Sequence, residues 1–407
     1  MHAILPNYQY VNKRNLQWGL LGFIACMTYA WPYYFTILFG GLEPLLNLLA
    51  RYGSYAITVF LLINFHSYKK ITKGTAVLIA LEILFAGLVV FFTQINGGKI
   101  GELEYIFQSN IAFMGLMIAA TSDTHGAVIR GMAVYYKCVI FLTLLFALIP
   151  IANFGGVYNF LSTKNVYLRE VFVGILLIGY TEYEAKKTVS INLIKWLCIV
   201  GITAICLGSS TAAFSSTVVV CLLVGIKKID WLKEKISFRL MILVSIVITI
   251  LVVFMQNVVF YSSFLEAVFG KDATFTGRTT LWAQALIRIA ANPFIGGGHI
   301  SEGDASFLFG KEDVWSGVSC HNIYLDTAVE TGLFGLALYL VILLYIGKKV
   351  DECNQREKTA IFASLYLIFF IACNFEIYLN GGQSLYLFPP LMFLYLAFDQ
   401  RIKIGEK

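Results

Sequence analysis

The segment RLMILVSIVITILVVFMQNVVF, residues 239–260, carries a single charged side chain, Arg239, at its first position. A helix needs about 20 apolar residues to cross the hydrocarbon layer of a bilayer. A second apolar run, residues 323–346, follows after a polar stretch at 261–322. Because backbone groups in lipid must be satisfied within the chain, both runs are expected to be helices. The pattern predicts two membrane spans joined by one large polar loop.

The rest of the chain has the same character, with 58% hydrophobic and 13% charged residues over 407 positions. A mean hydropathy of +0.76 excludes an ordinary soluble domain. We therefore predict an all-α, polytopic integral membrane protein, a single transmembrane domain over 1–407 with about twelve transmembrane helices. The expected spans lie at 17–40, 45–66, 74–95, 105–122, 133–153, 166–181, 191–207, 209–226, 239–260, 323–346, 359–380 and 383–400.

The orientation follows from the distribution of the 30 lysines and arginines. Most of them fall in segments that are cytoplasmic if the N-terminus is inside, and cytoplasmic loops carry the positive excess. Both termini are thus predicted to be cytoplasmic, with the loop 261–322 extracytoplasmic. The net charge of +6 is then explained by lysines facing anionic lipid, and no nucleic-acid partner is expected.

Within the loop, GRTTLWAQALIRIAANP at 277–293 is typical of an amphipathic helix that ends at Pro293. We predict an interfacial helix near 278–292, with Arg278 at its N-terminal end and Trp282 on its apolar stripe. Helix N-termini and guanidinium groups both favour anions, so Arg278 and Arg288 are candidate phosphate ligands. The alternative is an interfacial helix whose arginines only reach lipid phosphates.

A second polar cluster lies at the start of the span 323–346. His321 is the best candidate for a general base, since its ordinary pKa lies near working pH. Asn322, Asp326 and Glu330 follow at spacings of four and share one helix face. Acids in a membrane helix are costly and indicate a functional site. The alternative is a structural cap in which His321 and Asn322 satisfy free backbone N–H groups.

Other polar groups are scattered. Arg169, in NVYLREVF, lies at the outer end of the sixth span and either reaches the same cavity or extends toward lipid headgroups. Glu82 and Lys137, inside other spans, are interpreted as structural and as partners of each other or of the backbone. The sequence has no GxxxxGK[ST] loop, HExxH motif or paired CxxC motif, so we expect no nucleotide, metal or other cofactor.

Three motifs together resemble the signature of the bacterial O-antigen ligase and polysaccharide polymerase superfamily. They are TGRTTLW at 276–282, NPFIGGG at 292–298 and HNIYLDTAVETGLFG at 321–335. The resemblance implies a metal-independent, inverting glycosyltransferase of the GT-C type in the bacterial cytoplasmic membrane, with its site facing outward. It implies a glycan on undecaprenyl pyrophosphate as the donor, surrounding membrane lipids, and a chain-length regulator as a further partner.

The resemblance also implies roles for individual residues. Arg278 would bind the donor pyrophosphate and His321 would deprotonate or orient the acceptor hydroxyl. The remaining candidates are predicted to contact substrate, and they are Arg169, Trp282, Arg288, Asn322, Tyr324, Asp326 and Glu330.

One departure bears on the branch of the superfamily. Many relatives, ligases in particular, carry a Ser-Arg or Thr-Arg pair in the middle of the chain, whereas LGSSTAAF places Ser210 where that arginine is expected. This difference favours a polymerase of O-antigen or capsular polysaccharide. The alternatives are an O-antigen ligase acting on lipid A core and a polysaccharide flippase or other transporter.

Overall fold

The computed structural model describes residues 13–27, 29, 32–98, 100–149, 160–161, 167–254, 278–299, 319–375 and 388–399. Helices account for the regular structure of these residues, and no strand occurs among them. The first seven helices are α1 (Lys13–Cys26), α2 (Tyr33–Phe39), α3 (Glu43–Asn64), α4 (Lys73–Ile95), α5 (Gly101–Ser122), α6 (Ala127–Leu148) and α7 (Tyr167–Lys186).

Eight helices follow in the second half of the chain. They are α8 (Ile191–Cys206), α9 (Ser210–Lys228), α10 (Asp230–Lys235), α11 (Phe238–Phe254), α12 (Arg278–Ala291), α13 (Ile323–Asp351), α14 (Arg356–Ala372) and α15 (Phe388–Phe398).

Five helical segments of the described residues are long and apolar enough to cross a membrane. They are Gly40–Asn64, Lys73–Ile95, Ala127–Leu148, Ser210–Lys228 and Ile323–Asp351. The prediction of an all-helical, multi-pass membrane protein is confirmed at this level, and the count of twelve spans stays a prediction.

The first predicted span is wrong as a single helix. Residues 17–40 contain two helices, α1 and α2, and Pro32 stands immediately before α2. Proline lacks a backbone N–H and disfavours helix at the residue before it, so it is tolerated at a helix start and not in the middle. Helix α6 also begins earlier than predicted, because the side chain of Asp123 accepts the N–H groups of His125 and Val128 (both 3.0 Å).

The centre of the bundle is formed by α14, which is buried on every side. It packs against α7, α9, α10 and α11, while α15 packs against α4, α5, α7 and α13. A helix that is apolar all round belongs in such a position. The outer helices instead expose large apolar side chains such as Phe60, Ile83, Ile205 and Leu243. This surface is suited to lipid, so the outer faces of the bundle are its expected membrane contacts.

Asp351, at the end of α13, caps the start of α11. Its carboxylate accepts the backbone N–H groups of Phe238 (2.7 Å) and Arg239 (3.2 Å) and pairs with Arg239 Nε at 2.8 Å. We expect Asp351→Ala to lower the free energy of unfolding by about 2 kcal/mol, because a buried donor loses its acceptor. Thermal unfolding in detergent measures this loss. The exposed Glu352→Ala is the control and should unfold like the wild type; equal stability of both variants would contradict the capping role.

Candidate functional site

Helix α13 is broken at Gly332, nine residues after its first residue, Ile323, and so in its third turn. Gly332 has φ +63° and ψ −167°, a conformation that is essentially restricted to glycine. In an unbroken helix, the carbonyls of Val329 and Glu330 would accept hydrogen bonds from residues four positions later. The break therefore leaves backbone groups that need other partners.

The turn at 293–298, just after α12, provides these partners. Gly297 N–H donates to Val329 O at 2.7 Å, and Gly298 N–H donates to Glu330 O at 2.9 Å. In return, Leu333 N–H donates to Pro293 O at 2.8 Å. Irregular backbone at membrane depth is tolerated only where it is buried in protein or lines a cavity. The turn and the break thus form one interlocked unit.

Two glycines of this turn are required by its close contacts. Gly296 and Gly298 have φ +66° and +79°. A Cβ on Gly296 would stand 2.6 Å from Glu330 C, and one on Gly298 would stand 2.6 Å from Thr93 Cα. The glycine run therefore packs backbone against backbone between α4 and α13.

Helix α4 holds the other side of the turn. Thr93 Oγ1 accepts the N–H of His299 at 2.8 Å, and Asn96 Nδ2 donates to Gly296 O at 3.4 Å. The buried His299 ring places its Nδ1 3.5 Å from Glu330 Oε1. Sequence reasoning gave His299 no role in this site, although its position directly after the glycine run was visible. The structure thus adds an imidazole beside the predicted acid Glu330.

Helix α12 packs on α13 through Trp282, which is 0% exposed. Its indole Nε1 donates to Cys320 O at 2.9 Å, and Leu281 and Ala285 are buried on the same face. The apolar stripe therefore faces protein, where the sequence predicts a membrane surface. This environment gives Trp282 a packing role and no surface that substrate reaches.

The two arginines of α12 differ in what the structure describes. The backbone of Arg278 begins the helix, while its side chain lies outside the described part. Arg288 is half-buried, and its Nη1 lies 3.7 Å from the point where a Cβ would stand on Gly297. Partial burial lowers the pKa of Arg288 from its ordinary value, although a guanidinium stays charged. A desolvated cation next to the turn favours an anionic ligand.

The segment before α13 is tied to the helix by Asp326. Its carboxylate accepts Ser319 Oγ–H and Cys320 N–H, both at 2.6 Å. His321 N–H donates to Ser319 Oγ at 3.0 Å, and His321 has φ +54°. Burial raises the pKa of the Cys320 thiol well above its usual range, which disfavours the thiolate form. Asp326 therefore fixes the backbone that carries His321.

We expect Asp326→Ala to lower the transfer rate proposed below by about 100-fold, since a base displaced by about 1 Å loses that much. Asp326→Asn keeps an acceptor for the Cys320 N–H and should retain most of the rate. The rate of each variant on one substrate pair measures the effect. Equal losses in both variants would assign the carboxylate a direct role with substrate, and no loss in either would remove Asp326 from the site.

Asn322 and Tyr324 belong to a buried hydrogen-bond network. Asn322 Oδ1 accepts the N–H groups of Tyr324 (3.1 Å) and Leu325 (3.2 Å), so Asn322 is the N-cap of α13. Its amide donates to Asn374 Oδ1 at 3.1 Å, and Tyr324 OH donates to Ser245 Oγ at 3.0 Å. The predicted alternative of a structural cap describes Asn322, whose side chain is occupied by protein.

Three further predicted residues lie on other helices. Arg169 on α7 pairs with its neighbour Glu170 at 2.9 Å. Lys137 on α6 pairs with Glu182 at 3.5 Å, so of the alternatives open for Lys137 the pairing with Glu82 is wrong. Glu82 is buried, and no residue in the described ranges donates a hydrogen bond to its carboxylate.

The arrangement as a whole gathers charge and proton-transfer groups around the broken helix. Arg288 supplies a cation, His299 and His321 supply imidazoles, and Asp326 and Glu330 supply carboxylates. Such a set can hold an anionic group at the turn and move a proton at the entrance of α13.

Comparison with known proteins points to the same part of the chain. Residues 196–340 match a family model described as O-antigen ligase, and this range contains α12 and the broken part of α13. The exopolysaccharide production protein ExoQ of Rhizobium meliloti is 24% identical over 270 residues, covering 59% of each chain. The ComP-specific O-oligosaccharyltransferase of Acinetobacter baylyi is 23% identical over 346 residues, covering 79% of this chain and 61% of its own.

The chain thus spans about three fifths of the length of these curated relatives. The matched range 196–340 includes all three motifs that carry the resemblance in full, TGRTTLW, NPFIGGG and HNIYLDTAVETGLFG. The resemblance seen in these motifs is confirmed for this part of the chain, since residues 196–340 match the O-antigen ligase family model.

Proposed function

We propose that this protein is a membrane glycosyltransferase that joins oligosaccharide repeat units carried on undecaprenyl pyrophosphate into O-antigen or capsular polysaccharide. The observation that supports the proposal is the interlocked turn and broken helix, whose backbone hydrogen bonds join the turn after α12 to α13 within the segment that matches the O-antigen ligase family. The match of residues 196–340 to the O-antigen ligase family model supports the reaction class, and the polar groups at one helix break support the position of the site.

The proposed reaction is a direct displacement at the anomeric carbon. The acceptor hydroxyl gives its proton to His321 as its oxygen forms the new glycosidic bond. The bond between the anomeric carbon and the diphosphate oxygen breaks, and the arginines stabilise the charge on the leaving group. This displacement inverts the anomeric carbon and uses no metal. We also propose that the protein has about twelve membrane spans in a GT-C-like bundle. Both termini are cytoplasmic in this proposal, and the site faces outward.

A second candidate is transfer of a preassembled glycan to an acceptor other than a repeat unit. The description of the matching family as O-antigen ligase and the name of the Acinetobacter relative favour it. Both reactions use the same donor chemistry, so the acceptor distinguishes them.

The test is transfer by the purified protein in detergent with EDTA present. A defined undecaprenyl-pyrophosphate repeat unit is given alone or with lipid A core, and the products are resolved by gel. A ladder from the repeat unit alone supports the polymerase. Transfer that requires lipid A core makes the protein a ligase. Absence of transfer under both conditions, with cognate glycan and folded protein, would overturn the enzyme proposal in favour of a transporter.

The two arginines of α12 can be ranked in the same assay. We expect Arg278→Gln to lower the rate by 10²–10³-fold, the usual cost of removing a donor to developing negative charge. Arg288→Gln should cost less, because Arg288 is assigned to substrate binding beside Gly297. The reverse order would move the pyrophosphate role to Arg288. If both variants transfer glycan at the wild-type rate, neither arginine of α12 takes part in the reaction.

A further inference from the structure

A groove of about 360 Å³ lies between α4 and α5, next to Phe388 of α15. Its walls are mostly apolar and include Ala86, Val90, Phe107 and Met114; the polar residues of its lining are Glu82, Gln94 and Asn110. The side chains at its rim, Ile83, Phe91 and Ile111, are 62%, 55% and 62% exposed. The groove therefore opens sideways, on a face whose surroundings in a bilayer are hydrocarbon.

The two ends of the groove differ in character. Its outer end is at Gln94, next to Thr93, whose hydroxyl accepts the His299 N–H at 2.8 Å. Its inner end is at Glu82, close to the middle of the 23-residue α4. Twelve residues of helix separate the two ends, which corresponds to roughly 18 Å. The groove thus starts one residue from the contact between α4 and the turn, and it ends near half the depth of α4.

This layout matches an amphiphile with an anionic head and a hydrocarbon chain. The turn at the outer end has Arg288 beside Gly297, and an anionic head is suited to that cation. Below it, the wall offers hydrocarbon contacts along α4 and α5. We propose that the groove holds the head-proximal part of the polyprenyl chain of the lipid-linked donor. The inference rests on the proposed function, because it assigns a binding site to the lipid part of that donor.

Glu82 marks the inner end of this binding groove. Its side chain is 2% exposed, it lines the groove, and no donor to its carboxylate is found among the described residues. A carboxyl group gives a hydrocarbon chain no favourable contact, and an acid at this depth indicates a functional position. The polyprenyl chain of the donor is therefore expected to leave the groove at Glu82 and to continue in the bilayer.

The groove acts by positioning the donor. Lipid tails are as apolar as the groove, so transfer of a chain between them releases little free energy. A chain fixed along α4 instead holds the pyrophosphate at the turn, where misplacement is costly for the reaction. Blocking the groove should accordingly slow transfer from long-chain donors without disturbing the polar site.

Gly87 offers a way to block the groove without disturbing the bundle. A Cβ on Gly87 meets no atom within 4 Å, and Gly87 lines the groove. Gly87→Phe therefore fills the groove from inside. Gly53→Phe on α3 is the matched control, since a Cβ there also meets nothing within 4 Å and Gly53 does not line the groove.

The experiment compares two donors that carry the same glycan pyrophosphate, one on a full polyprenyl chain and one on a single isoprene unit. We expect Gly87→Phe to lower kcat/KM about tenfold for the long-chain donor and to leave the short-chain donor unchanged. Gly53→Phe should change neither. Equal long-chain rates in wild type and Gly87→Phe would overturn the groove proposal while leaving the proposed function intact.

A binding measurement keeps the inference testable if no donor is turned over. A polyprenyl pyrophosphate with a photoreactive group in its first isoprene units is crosslinked to the protein in nanodiscs. Peptides of α4 and α5 should be labelled in the wild type and several-fold less in Gly87→Phe. Labelling confined to other helices would overturn the proposal. Labelling removed by excess phospholipid would also overturn it, since the groove would then hold bulk lipid.

Discussion

Replacing His321 by asparagine is expected to lower the rate of glycan transfer by 10²–10⁴-fold, the usual contribution of a positioned general base. Asparagine tolerates the left-handed backbone that His321 adopts at φ +54°, so the change removes the imidazole with little added strain. The N–H of residue 321 can still donate to Ser319 Oγ. The measured loss therefore reports on the side chain and not on the local fold.

His66 supplies the matched control for this substitution. It is an exposed histidine with φ +50°, so His66→Asn makes the same chemical change on the same kind of backbone. We expect wild-type transfer from His66→Asn. A His321→Asn variant that folds and keeps more than half of the wild-type rate would exclude His321 as the base. His299, which lies 3.5 Å from Glu330, would then be the next candidate.

Much of the fold was predictable because membrane spans are a property of composition and length. Each predicted apolar region contains at least one helix, and the break near Pro32 follows from the chemistry of proline. The break at Gly332 was not predictable in the same way. The apolar pattern continues on both sides of Gly332, and the helix opens there because a turn from another part of the chain satisfies its backbone.

The candidate site was likewise predictable from the sequence only in part. Asp326 and Glu330 were identified because acids in an apolar helix are conspicuous in a sequence. Thr93 was not, because a threonine on a lipid-facing helix is ordinary until the structure places it against His299. Contacts between helices distant in sequence depend on how the faces pack, and helical periodicity in one segment carries no information about its partner.

The sequence also did not reveal which buried charged residues pair with each other. The sequence suggested Glu82 as a partner for Lys137, since both lie inside spans, but Lys137 reaches Glu182 on α7. Helices α6 and α7 pack together, whereas Glu82 lies on α4 and lines the groove toward α5. The residue left without the expected partner is the one that defines the inner end of that groove.

Replacing Gly332 by alanine is expected to abolish most transfer, by more than 100-fold, and to lower the free energy of unfolding by about 1–3 kcal/mol. Its φ of +63° with ψ of −167° is closed to residues with a Cβ. A Cβ would also stand 2.3 Å from both C and O of Phe294, which are backbone atoms of the turn. Because backbone cannot move aside like a flexible side chain, the turn has to leave the break and take Arg288 and His299 with it.

Gly53→Ala on α3 is the control for this substitution, because a Cβ there meets no atom within 4 Å. Glycine inside a helix costs roughly 0.5–1 kcal/mol relative to alanine, so this variant should be slightly more stable than the wild type and fully active. Thermal unfolding in detergent and the transfer rate measure both effects. The same Gly→Ala change is thus expected to act with opposite sign at the two sites. A Gly332→Ala variant with wild-type stability and rate would show that the interlocked turn does not assemble the site.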